Sequence, residues 1–255
     1  MTQQATLPEP RLKTYVGSTL LFIGIFSTAT LAGILILLAT VFPFNVRYQI
    51  SKAWCALVVS MAKWFCGVGY EIEGLENLDI GQTAIVLCNH QSAWETLALR
   101  CILPPPQTAL LKRSLTWFPL WGWALSTLKP IAIDRKSQRA ALKILLKKGK
   151  ACLHEGLWVV VFPEGTRSAV GEVQKFSVGG ALLAEKTGYP VIPVAHNAGN
   201  VWPRYSFLKY PGTIRVKIGP VIPTQGRKAQ DINNDAAAWI AQAVQDLNKA
   251  DGKPA

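Results

Sequence analysis

The sequence predicts an α/β fold with a mixed, largely parallel central sheet flanked by helices, preceded by an N-terminal membrane-embedded helical segment. Three observations carry this reading. Short apolar, β-branched runs recur at residues 83–88, 108–111, 131–133, 158–162 and 189–194, separated by helical stretches. Strands that alternate with helices build sheets with substantial parallel pairing. Residues 14–46 contain no charged side chain. Several of the apolar runs end in polar turns, where open α/β sheets bind ligands.

The composition agrees. The 255 residues suffice for one large α/β domain with an appendage. Half the residues are hydrophobic and 16% are charged, against roughly 25% in a soluble domain, which points to membrane association. The net charge of +12 favours anionic partners, and with this apolar content an anionic membrane surface is the better fit than nucleic acid. No basic stripe with interleaved aromatics stands out, so no nucleic-acid partner is expected. Cys55, Cys66, Cys88, Cys101 and Cys152 are scattered without a Cys-x-x-Cys pair. That argues against a disulfide framework or zinc site and for a reducing compartment.

Taken in order, residues 1–69 read as membrane-anchoring helices and 70–255 as the α/β domain. Residues 15–42 are almost wholly apolar and end at Pro43. As a helix they span about 42 Å, more than the roughly 30 Å hydrocarbon core, so tilting or bending is expected, with Gly17, Gly24 and Gly33 as places to bend. The apolar core is too long for a cleaved signal peptide. Residues 48–68, interrupted by Lys52 and Lys63, read as an interfacial helix or the return arm of a hairpin. Arg11 and Lys13 precede the first helix and Arg47, Lys52 and Lys63 follow it, a distribution that leans toward a cytoplasmic body.

In the body, residues 70–74 alternate as an edge strand does, and 83–88 read as a buried strand. Residues 92–102 read as a helix stopped by the prolines at 104–106. The short strand 108–111 leads to Lys112, and an aromatic-rich stretch follows at 117–123. Strand 131–133 ends at Asp134-Arg135. Residues 137–154 form a helix with Ser137 as N-cap and Gly156 as stop. Strand 158–162 ends at Glu164-Gly165-Thr166-Arg167. Residues 178–187 form a short helix stopped by Gly188, and 189–194 the next strand. Residues 214–218 alternate as a half-exposed strand, and 235–248 form an amphipathic helix.

Three constellations carry chemistry. The stretch 89–95, Asn-His-Gln-Ser-Ala-Trp-Glu, puts His90 and Glu95 between a strand and a helix. Five residues apart on one helix they would point about 140° from each other. With His90 in the turn before the helix, the chain can bring them together. A carboxylate on one ring nitrogen fixes the tautomer and leaves the other as a base. Read alone, His90 is equally a turn histidine, and Ser92-x-x-Glu95 fits a capping box. Second, Arg135 and Arg167 each follow an apolar strand and, with Lys112, can share one anion site. Third, Glu164-Gly165-Thr166-Arg167 joins an acceptor, a flexible glycine, a hydroxyl and a cation, a turn whose amides can also bind anions.

Together these blocks, with residues 129–135 (Lys-Pro-Ile-Ala-Ile-Asp-Arg) and 191–194 (Val-Ile-Pro-Val), resemble the four ordered blocks of the glycerolipid acyltransferase family over about residues 70–220. Glu95 stands where that family often has Asp. The resemblance implies acyl transfer from acyl-CoA or acyl carrier protein to the free hydroxyl of lysophosphatidate, forming phosphatidic acid at a bacterial-type inner membrane with the catalytic domain facing the cytoplasm. His90 would be the general base and Glu95 its orienting partner. Lys112, Arg135, Glu164, Gly165, Thr166 and Arg167 would bind substrate, with backbone amides near Gly165 as oxyanion donors. No metal or cofactor is implied. Acylation of glycerol 3-phosphate or another lysolipid is the alternative within the family. A membrane-anchored hydrolase or metal enzyme using His90, Glu95, Glu164 and His196 is the alternative outside it.

Overall fold

The computed structural model describes residues 8–104, 106–134, 136–170 and 174–250. Arg135, one of the expected phosphate-site residues, lies outside them.

The N-terminal segment is a helical hairpin. Helix α1 (Leu12–Leu38) runs into a 3-10 turn (Ala39–Val41), and α2 (Phe44–Cys66) returns along it. Pro43 stands at the N-cap of α2, and Arg47 Nη1 donates to the carbonyls of Thr40 and Phe42, satisfying the turn. The glycines of α1 are points of close approach. Each lets a neighbour approach: a Cβ on Gly17 would meet Phe65 O at 2.1 Å, and one on Gly24 would meet Met61 Sδ at 2.9 Å. Small residues at such positions let helix backbones pack closely. By length and composition α1 with its 3-10 turn can cross a membrane. The hairpin exposes Phe22, Phe26, Leu31, Leu38 and Val41, and Trp121 of the aromatic-rich stretch packs on Phe26 with ring centroids 5.0 Å apart.

Gly67 adopts the left-handed conformation that ends α2 and turns the chain into the body. The body is a seven-stranded sheet: β1 (Val68–Glu73), β2 (Ile85–Cys88), β3 (Gln107–Lys112), β4 (Ile131–Ile133), β5 (Trp158–Val161), β6 (Val191–His196) and β7 (Gly212–Ile218). Its order is β1-β7-β6-β2-β5-β3-β4. Five strands, β6 to β4, are mutually parallel. β7 pairs antiparallel to β6, and β1 parallel to β7 at the edge.

The crossovers are α3 (Trp94–Ile102), α4 (Trp121–Ser126), α5 (Gln138–His154) and α6 (Gly179–Thr187); α7 (Ala229–Ala250) closes the chain. From β2 the chain moves to β3 in one direction, and from β5 to β6 in the other. Right-handed crossovers therefore place α3 and α6 on opposite faces. The core records this. Val86, Cys88 and Val160 pack with α1–α3, whereas Ile85, Leu87, Val159 and Val161 pack with α5–α7. The residues that follow β2, β5 and β3 line one crevice at the carboxyl ends of the strands.

Two element ends differ from expectation. Ser137 occupies the N-cap of α5 but makes no capping hydrogen bond. Helix α7 begins at Ala229, where Glu185 Oε2 accepts the Ala229 N–H at 2.6 Å. A distant carboxylate supplies the cap that the local sequence does not.

Candidate active site

β2 delivers the chain to the crevice at Cys88. Residues 89–93 make a tight turn and α3 starts at Trp94, so Glu95 lies in its first turn and points back. One oxygen, Glu95 Oε1, accepts from His90 Nδ1 at 2.7 Å, Ser92 N at 2.9 Å and Gln91 N at 3.0 Å. A single oxygen thus makes both the contact an orienting carboxylate would make to His90 and the bonds to the amides that precede the helix. Ser92 is not itself the N-cap; Ala93 is, and Ser92 Oγ accepts the Trp94 N–H at 3.1 Å. With Nδ1–H given to Glu95, the tautomer assigned by these bonds leaves Nε2 as the basic nitrogen. The ring stacks on Phe162 with centroids 4.3 Å apart and lines the cleft.

Glu95 is fully buried. Burial pushes its carboxyl pKa up, while the bond and charge of His90 and the Ser92 amide pull it down, and the net direction is below the ordinary value. It is a carboxylate at neutral pH.

Behind it sits His196, also fully buried, its pKa pushed down by that burial. Its Nε2–H donates to Asn89 O at 2.9 Å and its Nδ1 accepts from Ala198 N at 3.2 Å, as a neutral ring can. The Asn89 side chain closes the clamp, donating to His196 O at 2.9 Å and accepting from His196 N at 3.0 Å. Gln91 Oε1 accepts from Gly199 N at 3.3 Å.

The neighbouring turn follows β5. Gly165 at φ +70° makes the bend, and its N–H donates to Phe162 O. That amide is committed to the turn. Glu164 Oε1 accepts the His90 backbone N–H at 2.9 Å, and Ser168 N donates to His90 O at 2.7 Å, stitching the two turns together. Burial pushes the Glu164 carboxyl up to about 7, against its bond from the His90 amide and with the help of Glu95. Arg167 is half-buried on the cleft wall, and its carbonyl accepts from Arg204 Nη1 at 2.8 Å. Lys112, exposed at the end of β3, lines the same cleft.

The structure therefore brings His90, Glu95, Glu164, Gly165, Arg167 and Lys112 together. Thr166 is set apart: it is exposed and its hydroxyl lies 3.5 Å from Tyr205 Oη. Sequence reasoning missed Asn89, Gln91 and Arg204 as framing residues and considered His196 only as a ligand. The one available signal was that His196, like His90, stands at the end of an apolar strand. Among the described residues no group of three or more His, Cys, Asp or Glu is placed to hold a metal ion.

The cleft holds about 1460 Å³. It combines a basic imidazole nitrogen, an ionised partner behind it and two cations on the rim. One arm runs toward α2 and α4 between Trp54, Cys55, Leu97, Leu125 and Leu128 and is largely apolar, with Ser51 and Arg100 as its polar members. Such a site can deprotonate a hydroxyl next to an anionic group and hold a hydrocarbon chain alongside.

A family model described as acyltransferase matches residues 69–197. The 1-acyl-sn-glycerol-3-phosphate acyltransferase of Pseudomonas aeruginosa is 43% identical over 83% of this chain and 83% of its own. The enzyme of that name from Cocos nucifera is 26% identical over 84% of this chain and 68% of its own. The crystal structure of the 1-acyl-sn-glycerophosphate acyltransferase of Thermotoga maritima superposes with a TM-score of 0.74 at 23% identity, covering 90% of this chain and 94% of that one, and so shares the fold.

Proposed function

This chain belongs to the acyltransferase family, and from that premise we propose that it transfers an acyl group from a thioester to the free hydroxyl of 1-acylglycerol 3-phosphate, forming phosphatidic acid. The observation that carries the chemistry is the 2.7 Å bond from His90 Nδ1 to a buried, ionised Glu95, with the other ring nitrogen open to the cleft. Nε2 takes the hydroxyl proton as the oxygen attacks the thioester carbonyl. Glu95 stabilises the imidazolium that forms. The tetrahedral intermediate collapses, the C–S bond breaks, and the leaving thiolate takes the proton back from Nε2.

Arg167 and Lys112 hold the substrate phosphate; Arg135, the third cation expected there from the sequence, lies outside the described residues. Glu164 orders the turn by accepting the His90 amide. The apolar arm takes an acyl chain. The hairpin and the aromatic stretch, with Trp117, Phe118 and Trp123 exposed beside it, seat the site in the membrane where both lipids reside, with the body on the cytoplasmic side. Acyl-CoA or acyl carrier protein supplies the thioester.

Acyl transfer from both thioesters to lysophosphatidate, by wild type and His90→Ala in membranes, tests this. The variant should lose at least about 10²-fold in kcat. Retained activity would end the general-base assignment, and turnover of glycerol 3-phosphate but not lysophosphatidate would overturn the acceptor.

A further inference from the structure

The cleft has a second arm, on the opposite sheet face from the apolar one. It passes over the carboxyl ends of β2 and β5 and runs past the start of α6, at Ser177, Val178 and Gly179, along one side of α7. Its α7 wall includes Gln230, Asn234, Ala237, Ala241, Gln245 and Asn248, with Ile240 and Val244 adding apolar surface between the amides. Steps of three and four keep these on one helix face, and from Gln230 to Gln245 they extend about 22 Å. Two alanines leave room in the middle, and primary amides stand at either end.

A second observation points to what this wall meets. Asn233 lines the same arm, is only 6% exposed, and its Oδ1 has no hydrogen-bond partner. A buried acceptor left unpaired is costly, which suits a ligand that brings an N–H. Two pairs of amides along the wall are matched to each other: Gln230 Nε2 donates to Asn234 Oδ1 at 2.8 Å, and Asn248 Oδ1 accepts from Asn200 Nδ2 at 3.0 Å. A pure hydrocarbon chain would leave the Asn233 oxygen unpaired, whereas a chain of methylenes interrupted by amides suits a wall that mixes amides with Ile240 and Val244.

We propose that this second arm binds the pantetheine chain of the acyl donor, the amide-bearing arm common to CoA and carrier-protein thioesters. This rests on the acyl-transfer reading above. Pantetheine is a flexible chain with two secondary amides separated by short methylene links, so it can donate an N–H to Asn233 and pass over Ala237 and Ala241 in extended form. The two arms meet over the carboxyl ends of β2 and β5. There the donor's sulfur joins its polar half on one sheet face to its acyl half on the other, with the thioester carbonyl below His90.

The test is donor kinetics on the full-length protein in membranes, with Ala237→Phe to block the arm and Asn233→Leu to remove the acceptor. Ala237→Phe should raise KM about tenfold for acyl-CoA and for acyl carrier protein alike. Asn233→Leu should raise both by a smaller factor. KM for lysophosphatidate should stay within about twofold, and turnover of the acyl thioester of N-acetylcysteamine, which lacks the outer part of the arm, should be unchanged. Unchanged donor KM in both variants, with melting curves like wild type, would overturn the proposal. So would a rise for acyl-CoA alone, which would place the nucleotide there instead. If Ala237→Phe does not fold, Ala241→Phe, at an exposed position one turn on, carries the same expectation. A wild-type protein inert toward lysophosphatidate with both donors would sink the acyl-transfer reading separately. Calorimetric titration of CoA into wild type and variant still decides the arm: weakened binding in the variant supports it, and equal binding overturns it.

Discussion

The turn after β2 and the turn after β5 lie side by side and are built in opposite ways. In the first, Asn89, Gln91, Ser92 and Glu95 are all buried, and each makes a hydrogen bond within the turn or to β6 and the residues just after it. In the second, Gly165 and Thr166 are exposed, Arg167 is half-buried, and the backbone is held by Arg204 from a later loop. The difference separates two tasks. A general base needs one tautomer and one orientation before substrate arrives. A phosphate clamp needs cations that can reach from an open rim. The first turn should govern kcat and the second KM.

The strongest way to break that division is Glu95→Gln. The amide oxygen can still accept from Gln91 and Ser92, so the turn should survive and the melting midpoint move by only a few degrees. The charge facing the imidazolium is lost, and kcat should fall about 10²-fold or more. Near-normal kcat would reduce Glu95 to a helix cap. Next comes Arg167→Ala. Losing a charged hydrogen bond worth about 1.5–3 kcal/mol should raise KM for lysophosphatidate about tenfold or more, with kcat changed far less. An equal loss in kcat would mean that the two turns do not divide the work.

The smallest effect is on stability. Glu164 titrates near 7 in the fold against an ordinary 4.5, chiefly through burial. A raised carboxyl pKa gives stability that is full below the unfolded value and is lost as pH rises through the folded one. Wild type should lose on the order of 1–3 kcal/mol between about pH 4.5 and 7, and Glu164→Gln should not. Equal pH slopes in chemical denaturation would show that Glu164 is solvated.

Most of the body was legible because its strands are written as short apolar runs and each candidate residue stands where one of them stops. The His90–Glu95 pair was legible as a pair, but its geometry was not, since helical spacing alone sets the two groups apart. What was hidden depends on sheet order. Nothing local to residues 191–196 says that β6 lies beside β2, so the clamp between Asn89 and His196 could not be read. The close contacts at Gly17 and Gly24 were hidden for a related reason: a small residue can serve a bend or a close contact, and the contact shows only once α2 is in place. The start of α7 was placed late because its cap comes from Glu185.

The clamp on His90 also has a consequence for when the protein can first work. His90 belongs to the first crossover of the sheet, yet its backbone amide is held by a carboxylate 74 residues downstream, and the preceding Asn89 by a strand 107 residues downstream. Contacts so distant in sequence close slowly. A growing chain carries the whole motif long before it carries the frame for it. Until β6 slots in beside β2, the imidazole is an ordinary solvent-exposed side chain. The apolar hairpin, finished first, is therefore complete well before the chemistry exists.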